Sequence, residues 1–420
     1  MKLARFLILS VVVLFALHCS RSAFVSFIGI DPKYYFGLIA VPVLVIATFR
    51  YHRYLGQVPT FMGYSMFLVI MLGSIVVLTA VGFAHGNLPQ LILFDIGSLL
   101  ILWCFLFLGR YDQVWHDLEK PLFVLLAIFA PFILIGLSRP EVQITFGGIV
   151  EQEIGKGSRW TVNTLAYNTR ELLHIVPLCF ALACTYVSWN WSKIVGIAGM
   201  AYWFGLMLAF AKRGPAVQAI AYALWSMLLL SRIKRKVQLG LTSFIILISA
   251  LVIIFVGGVR IAAIFERYQE TGNFFSNERY YEVGLMFDDF NIFDYVTGRG
   301  MGGYFNVPAD WEAGVEYVTS SGHKGRPHIH VGIFWPFLKG GVLFTVIYMY
   351  MFMGMLLPKG RGWINDKYNF VALANMAVFG TFLVIHTAPT LSGPLQLMVV
   401  GLCCARFGIP AKSGPRYLAA

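Results

Sequence analysis

Charged side chains are scarce in this chain of 420 residues, and that scarcity decides its broad class. Only 12% of the residues are charged, whereas 58% are hydrophobic, and the mean hydropathy is +0.73. This composition is too apolar for an ordinary soluble domain and is typical of a chain that crosses a membrane many times. The sequence therefore predicts an all-α polytopic membrane protein, with residues 1–420 forming a single integral-membrane domain.

Acidic residues are scarcer than basic ones, which leaves a formal net charge of +12. A basic chain could bind nucleic acid, but here the Lys and Arg residues lie in short loops between apolar runs. In that position they are typical of signals that orient membrane helices. We therefore expect no nucleic-acid partner.

Cysteine motifs are absent as well. The six cysteines contain no CxxC pair and no spacing typical of a metal site, so we expect them to be small core residues. No small-residue cleavage site follows the first apolar run, which therefore predicts a membrane helix and not a signal peptide.

The apolar runs can be divided by length, because a membrane helix needs about twenty apolar residues. This predicts about twelve spans, at approximately 3–19, 34–49, 61–83, 88–108, 121–137, 172–188, 193–211, 215–231, 237–259, 332–357, 370–388 and 391–409.

The distribution of Lys and Arg predicts the sidedness of these spans. An even number of spans puts both termini on one side, and the short loops on that side hold most of the basic residues, including the RIKRK stretch at 232–236. By the positive-inside rule the termini are cytoplasmic. Two long polar segments, 138–171 and 260–331, are then expected on the opposite face.

The longer of these segments, 260–331, is the most informative. Ser276 or Asn277 could cap a helix that runs to about Tyr295. Arg279 would lie on the apolar face of this helix, where a guanidinium either reaches an interface or points into a site. That apolar face is formed by Val283, Met286 and Phe290.

Glycines and histidines mark the rest of the segment. Gly298 and Gly300 indicate backbone that could come close to a ligand, although no strand and helix surround them as in a dinucleotide-binding fingerprint. Pro327 prevents a helix from running through the end of the segment, so His328 and His330 are expected at the first turn of the tenth span. Each histidine could instead be an interfacial residue bonded to backbone.

Four motifs occur in a characteristic order. A basic pair opens AKRGPAVQA (Lys212 and Arg213), a helix opens with Arg in SNERYYEVGLMF (Arg279), TGRGMGGYF carries a G-x-G, and HIHVGIFWPFLKGGVLF combines histidine with aromatics and a glycine pair. Together, over residues 205–350, they resemble the shared region of the O-antigen polymerases and O-antigen ligases.

The resemblance implies a C-type membrane glycosyltransferase of the bacterial inner membrane, working on the periplasmic face. Its donor would be a glycan linked to undecaprenyl diphosphate, and neither a metal nor another cofactor is expected. The matching positions Arg213 and Arg279, with the neighbouring Lys212, would bind the diphosphate, because Arg makes bidentate, permanently charged hydrogen bonds. Further candidates, chosen by sidedness alone, are Arg159, Arg170, Arg299 and Arg326.

A histidine would accept the proton of the attacking sugar hydroxyl, because its pKa suits that task near neutral pH. We expect His330 to be this base in an inverting displacement. The family often has Asn after its histidine, whereas this chain has Val331, so His328 is the substitute.

The acceptor is left open by these residues. A polymerase extends a lipid-linked chain, a ligase transfers the glycan to lipid A core, and an exopolysaccharide is a third destination. We prefer the polymerase. The expected partners are the donor, a glycan acceptor and membrane lipids, and a chain-length regulator stays open.

A transporter for lipid-linked glycans is the alternative from another class, but such proteins tend to show repeated halves, which this sequence lacks. Two acidic sites were also weighed. Asp288 and Asp289 read more simply as a solvated face than as a metal site, and Asp95, inside a span, is expected to have a partner or a function.

Overall fold

The computed structural model is mostly helical. It describes residues 2–19, 39–56, 60, 63–138, 144–145, 148–149, 175–186, 188–209, 278–308, 317–318, 324–327, 329, 331–353, 363–375 and 393–410. The predicted spans 215–231 and 237–259 lie outside this part of the chain.

Eleven α-helices are bounded as follows, and residues 367–375 are helical too. They are α1 (Lys2–Cys19), α2 (Val41–Leu55), α3 (Tyr64–Ala84), α4 (Pro89–Leu108), α5 (Asp112–Ser138), α6 (Ile175–Thr185), α7 (Trp191–Ala209), α8 (Glu278–Asp288), α9 (Ile292–Thr297), α10 (Phe334–Met353) and α11 (Pro394–Phe407).

Three of the described helices, α3, α4 and α10, are long and apolar enough to cross a membrane. The chain therefore has the character of a membrane protein, while the predicted total of about twelve spans stays a prediction. The apolar helix α4 packs against α2, α3 and α11, and side chains on all its faces are buried. This central position makes its two ends convenient reference points for the rest of the fold.

The predicted helix through Tyr295 is interrupted. Helix α8 ends at Asp288, and α9 begins at Ile292. Asn291 stops the first and starts the second, because its side chain accepts hydrogen bonds from the N–H groups of Phe293 and Asp294 in a capping box. The predicted apolar face of α8 is correct, since Val283, Met286 and Phe290 are all buried.

Short strands accompany these helices, so the segment 260–331 is not purely helical. Strands β3 (Phe305–Asn306), β4 (Tyr317–Val318) and β5 (Lys324–Arg326) form an antiparallel sheet in the order β3-β5-β4. A second small sheet pairs β1 (Ile144–Thr145) with β2 (Gly148–Ile149) inside the predicted loop 138–171.

The C-terminal end of α4 is surrounded by a polar cluster. The buried guanidinium of Arg406 on α11 donates to Asp112 at 2.7 Å, to Asp366 at 2.9 Å and to Asn369 at 2.7 Å. Nearby, the Tyr51 hydroxyl donates to Asp117, and burial, reinforced by this carboxylate, raises the pKa of Tyr51. Loops that are distant in sequence are thereby joined at one end of the helices.

Most of the cysteines described by the structure match the expectation from sequence. Cys104, Cys179, Cys403 and Cys404 are buried as free thiols, and Cys184 is partly buried. They pack in the apolar interior, as small hydrophobic residues do.

Candidate functional site

The site region is built around a break in α10. Gly340 and Gly341 leave helical geometry, with φ of −140° and 57°. The break frees the carbonyl groups of Leu338 and Lys339 from their usual helical partners, and buried carbonyls need hydrogen bonds. Here the donors are the N–H groups of Arg299, at 3.0 Å, and Gly300, at 2.8 Å.

These donors belong to the glycine loop, residues 298–303, which is held on the other side by α3. The Met301 N–H donates to the Leu78 carbonyl at 2.8 Å. The Asn87 side chain, just beyond α3, donates to the carbonyls of Arg299 and Met301 at 2.7 and 2.9 Å. The glycine loop is thus bound between α3 and α10 through its backbone.

Two glycines make this close packing possible. A Cβ on Gly300 would overlap the backbone of Gly82, and one on Gly298 would overlap that of Gly340. Both also have a positive φ, of 64° at Gly298 and 74° at Gly300, which side-chain-bearing residues rarely adopt. The structure thus gives the predicted close-approach glycines a partner within the protein, and an approach to a ligand stays a prediction.

A buried ion pair ties the glycine loop to α4. The Lys339 ammonium lies 2.8 Å from the Asp95 carboxylate, and both side chains are almost fully buried. Lys339 also donates to the carbonyls of Gly303, at 2.8 Å, and Pro327, at 3.1 Å, while Asp95 accepts from the Gly302 N–H at 2.7 Å. One pair of charges therefore connects α4, α10, the glycine loop and the segment that follows β5.

The partner predicted for Asp95 is therefore Lys339, a residue that the sequence-based candidates did not include. The signal was present, because Lys339 is a single cation in an apolar run, as Asp95 is a single anion in another. Isolated opposite charges in two predicted spans favour pairing. The sequence does not say which spans are neighbours, so the pair could not be assigned from it.

Arg299 was a candidate for the diphosphate, and its guanidinium is engaged by the protein. It lies 2.5 Å from the Asp289 carboxylate and 3.2 Å from that of Asp294, and it donates to the Tyr304 carbonyl at 2.8 Å. The expectation that Asp289 lies on a solvated face is wrong, because this carboxylate is occupied by Arg299 and by the Asn306 backbone and side chain. These contacts fold the end of α8 onto the glycine loop.

Arg326, another diphosphate candidate, forms a second ion pair in the interior. Its guanidinium lies 3.0 Å from the Glu282 carboxylate, and both side chains are buried. The pair joins the end of β5 to the middle of α8. It also holds Pro327 near α8, and the Pro327 carbonyl is bound from below by Lys339.

The remaining predicted site residues fall outside the described side chains. The backbone of Arg279 lies in the first turn of α8, while its side chain is not described. The other candidates outside the described part are Arg159, Arg170, Lys212, Arg213, His328 and His330.

The described residues thus form a scaffold whose cations are paired with carboxylates. It supports the chain on both sides of His328, since Pro327 and Ile329 are buried. Chemically, such a scaffold can fix the position of neighbouring groups without itself supplying a free charge. No protein-family model, no curated protein and no solved structure matches this chain.

Proposed function

We propose that this protein is a membrane glycosyltransferase that polymerises an O-antigen or another surface polysaccharide. Its donor would be a glycan on undecaprenyl diphosphate, used at the periplasmic face. The ordered motifs over residues 205–350 support the proposal, and the observation that carries it furthest is the buried ion pair between Arg326 and Glu282.

This ion pair connects the two elements that carry the proposed chemistry. Arg279 and Glu282 are three residues apart on α8, a spacing that puts them on one side of a helix. Arg326 is separated from His328 only by Pro327. A contact between Glu282 and Arg326 therefore holds the helix of the proposed diphosphate ligand against the segment of the proposed base.

The proposed reaction divides into two tasks. Arg279 and Arg213 would bind the diphosphate and stabilise the negative charge that develops as the glycosidic bond breaks, and such electrostatic stabilisation is often the largest catalytic term. His330, or His328 in its place, would accept the proton from the acceptor hydroxyl. Attack from the opposite side of the sugar would invert the anomeric centre.

The test is turnover by the purified protein with an undecaprenyl-diphosphate glycan. We expect Arg279→Ala to lower kcat by about 100-fold to 1000-fold, and His330→Ala or His328→Ala, whichever is the base, by about 100-fold or more. Two matched controls are Arg53→Ala at the end of α2 and His85→Ala after α3, since both side chains are exposed. The controls should keep normal turnover.

Normal activity in Arg279→Ala and in both histidine variants would refute the site, provided that the amounts of folded protein are equal. No turnover by the unmodified protein with any lipid-linked glycan would refute the enzyme. The acceptor is tested separately by deleting the gene and separating the lipopolysaccharide on a gel. Single repeats still attached to core support a polymerase, whereas loss of every attached repeat supports a ligase.

The break in α10 is the observation that favours a transporter, because discontinuous helices line the substrate sites of many transporters. In this protein, however, the carbonyls of Leu338 and Lys339 are bonded to the glycine loop, which leaves them occupied. Proteoliposomes separate the two functions. A transporter would move lipid-linked glycan across the bilayer without forming a glycosidic bond.

A further inference from the structure

The glycine loop contacts three helices well inside their ends. Its Met301 N–H is bonded to the Leu78 carbonyl of α3, which lies about 9 Å before the end of that helix at 1.5 Å per residue. Its Gly302 N–H is bonded to Asp95 of α4, about 9 Å after the start of that helix. The two contacts thus lie at the same depth on neighbouring antiparallel helices.

Helix α9 reaches a similar depth on α10. A Cβ on Gly341 would overlap the backbone of Val296 and Thr297, and Gly341 lies about 10 Å from the start of α10. The 21 residues of α3 span about 31 Å, which is close to the roughly 30 Å of a bilayer's hydrocarbon core. If α3 crosses the membrane, a point 9 Å inside its end lies within hydrocarbon.

Irregular backbone survives at that depth only when its polar groups are bonded within the protein. The glycine loop meets this requirement with donors and acceptors already described on α3, α4 and α10. Residues 300–303 are buried, and the N–H groups of residues 299–303 all have acceptors.

The outward side of α9 has the opposite character. Ile292 is 74% exposed, Phe293 75% and Val296 48%, and the spacing of Ile292 and Val296 puts them on one side of the helix. Its ionisable residue, Asp294, is turned inward and paired with Arg299. The exposed side chains Val342 and Leu343, which follow the break in α10, extend this apolar surface.

We propose that residues 291–303 form a re-entrant element, with the outward side of α9 in contact with the acyl chains of the bilayer. The depth of the contacts, the internally bonded loop and the apolar outer face all match a lipid-facing surface. Water would leave large apolar side chains exposed beside membrane helices. The inference stands on these contacts and does not depend on the proposed enzymatic activity.

Spin labelling of the full chain in phospholipid nanodiscs tests the location of α9. Phe293→Cys carries the label on α9, Val346→Cys marks a lipid-exposed position on α10, and Asp288→Cys marks an exposed position at the end of α8. Protein without an added cysteine supplies the background from the native thiols. The measured quantity is the accessibility of each label to apolar oxygen relative to that of a water-soluble nickel chelate.

We expect the label at position 293 to favour oxygen as strongly as the label at 346, and the label at 288 to favour the nickel chelate. A label at 293 that matches the one at 288 would place α9 in water and overturn the proposal. Shielding from both reagents together with dipolar broadening would also overturn it, because a second copy of the chain would then cover α9. If Phe293→Cys does not fold, Ile292→Cys reports on the same surface.

Discussion

Both ends of α4 are held by buried cations, but the carboxylates that pair with them have different surroundings. Near the N-terminal end, Lys339 and Asp95 are 0% and 1% exposed, and their other contacts are backbone groups of the glycine loop. At the C-terminal end, Arg406 is equally buried, while its partner Asp112 is 41% exposed.

This difference teaches what each cluster can lose. An exposed carboxylate can be rehydrated when its partner is removed, so its pairing adds little net free energy. A carboxylate that is closed off from water cannot, and an unpaired charge is then left in a medium of low dielectric constant. The N-terminal cluster should therefore be much less tolerant of substitution than the C-terminal one.

The largest effect is expected for Lys339→Met. It leaves Asp95 buried without a cation, which should lower the free energy of unfolding by about 3–5 kcal/mol. Denaturant titration in mixed micelles measures the loss. The double variant Lys339→Met with Asp95→Leu should recover part of it, because an apolar pair has no charge to desolvate. A single variant that is no less stable than the double would contradict the comparison.

Gly300→Ala should follow closely. The new Cβ would overlap the Gly82 backbone and force a side-chain-bearing residue to adopt a φ of 74°, a conformation that alone costs about 1–3 kcal/mol. We expect a total loss of about 3 kcal/mol or more in the same titration. Gly284→Ala is the matched control on α8, where no atom lies within 4 Å, and it should be neutral or stabilise the protein by about 0.5–1 kcal/mol.

The smallest effects are expected at the C-terminal end of α4. Arg406→Gln removes charged hydrogen bonds to Asp112 and Asp366, and we expect a loss of about 2 kcal/mol. Asp112→Asn should cost about 1 kcal/mol or less, because this side chain is largely hydrated. Should Arg406→Gln prove as damaging as Lys339→Met, exposure of the carboxylates would not be what distinguishes the two ends.

The helix positions were largely predictable. Predicted spans 61–83 and 88–108 correspond to α3 (Tyr64–Ala84) and α4 (Pro89–Leu108), because an uninterrupted apolar run of about twenty residues has few alternatives to a helix in lipid. The break in α10 was not predictable. The Gly340-Gly341 pair tolerates a helix as well as a kink, and the kink depends on α9 and the glycine loop packing against it.

The candidate site shows the same division at the level of single residues. The sequence indicated that Arg299 is a basic residue in a polar segment, which made it a candidate for binding an anion. Its occupation by Asp289 and Asp294 depends on the turn at Asn291, which brings the end of α8 back over the glycine loop. Local propensity predicts a cap at Asn291 but not the direction in which the chain continues.

The sequence by itself determined the solvent of this protein and the places where polar residues interrupt its apolar runs, because transfer of side chains between water and lipid depends on residue type alone. Tertiary structure decided which polar residues meet. Asp95 and Lys339 are distant in the chain, and their pairing requires α4 and α10 to lie on either side of a glycine loop whose close approach no local pattern specifies. Ionic contacts act over a few ångströms, so only the packing of the helices could select this pair.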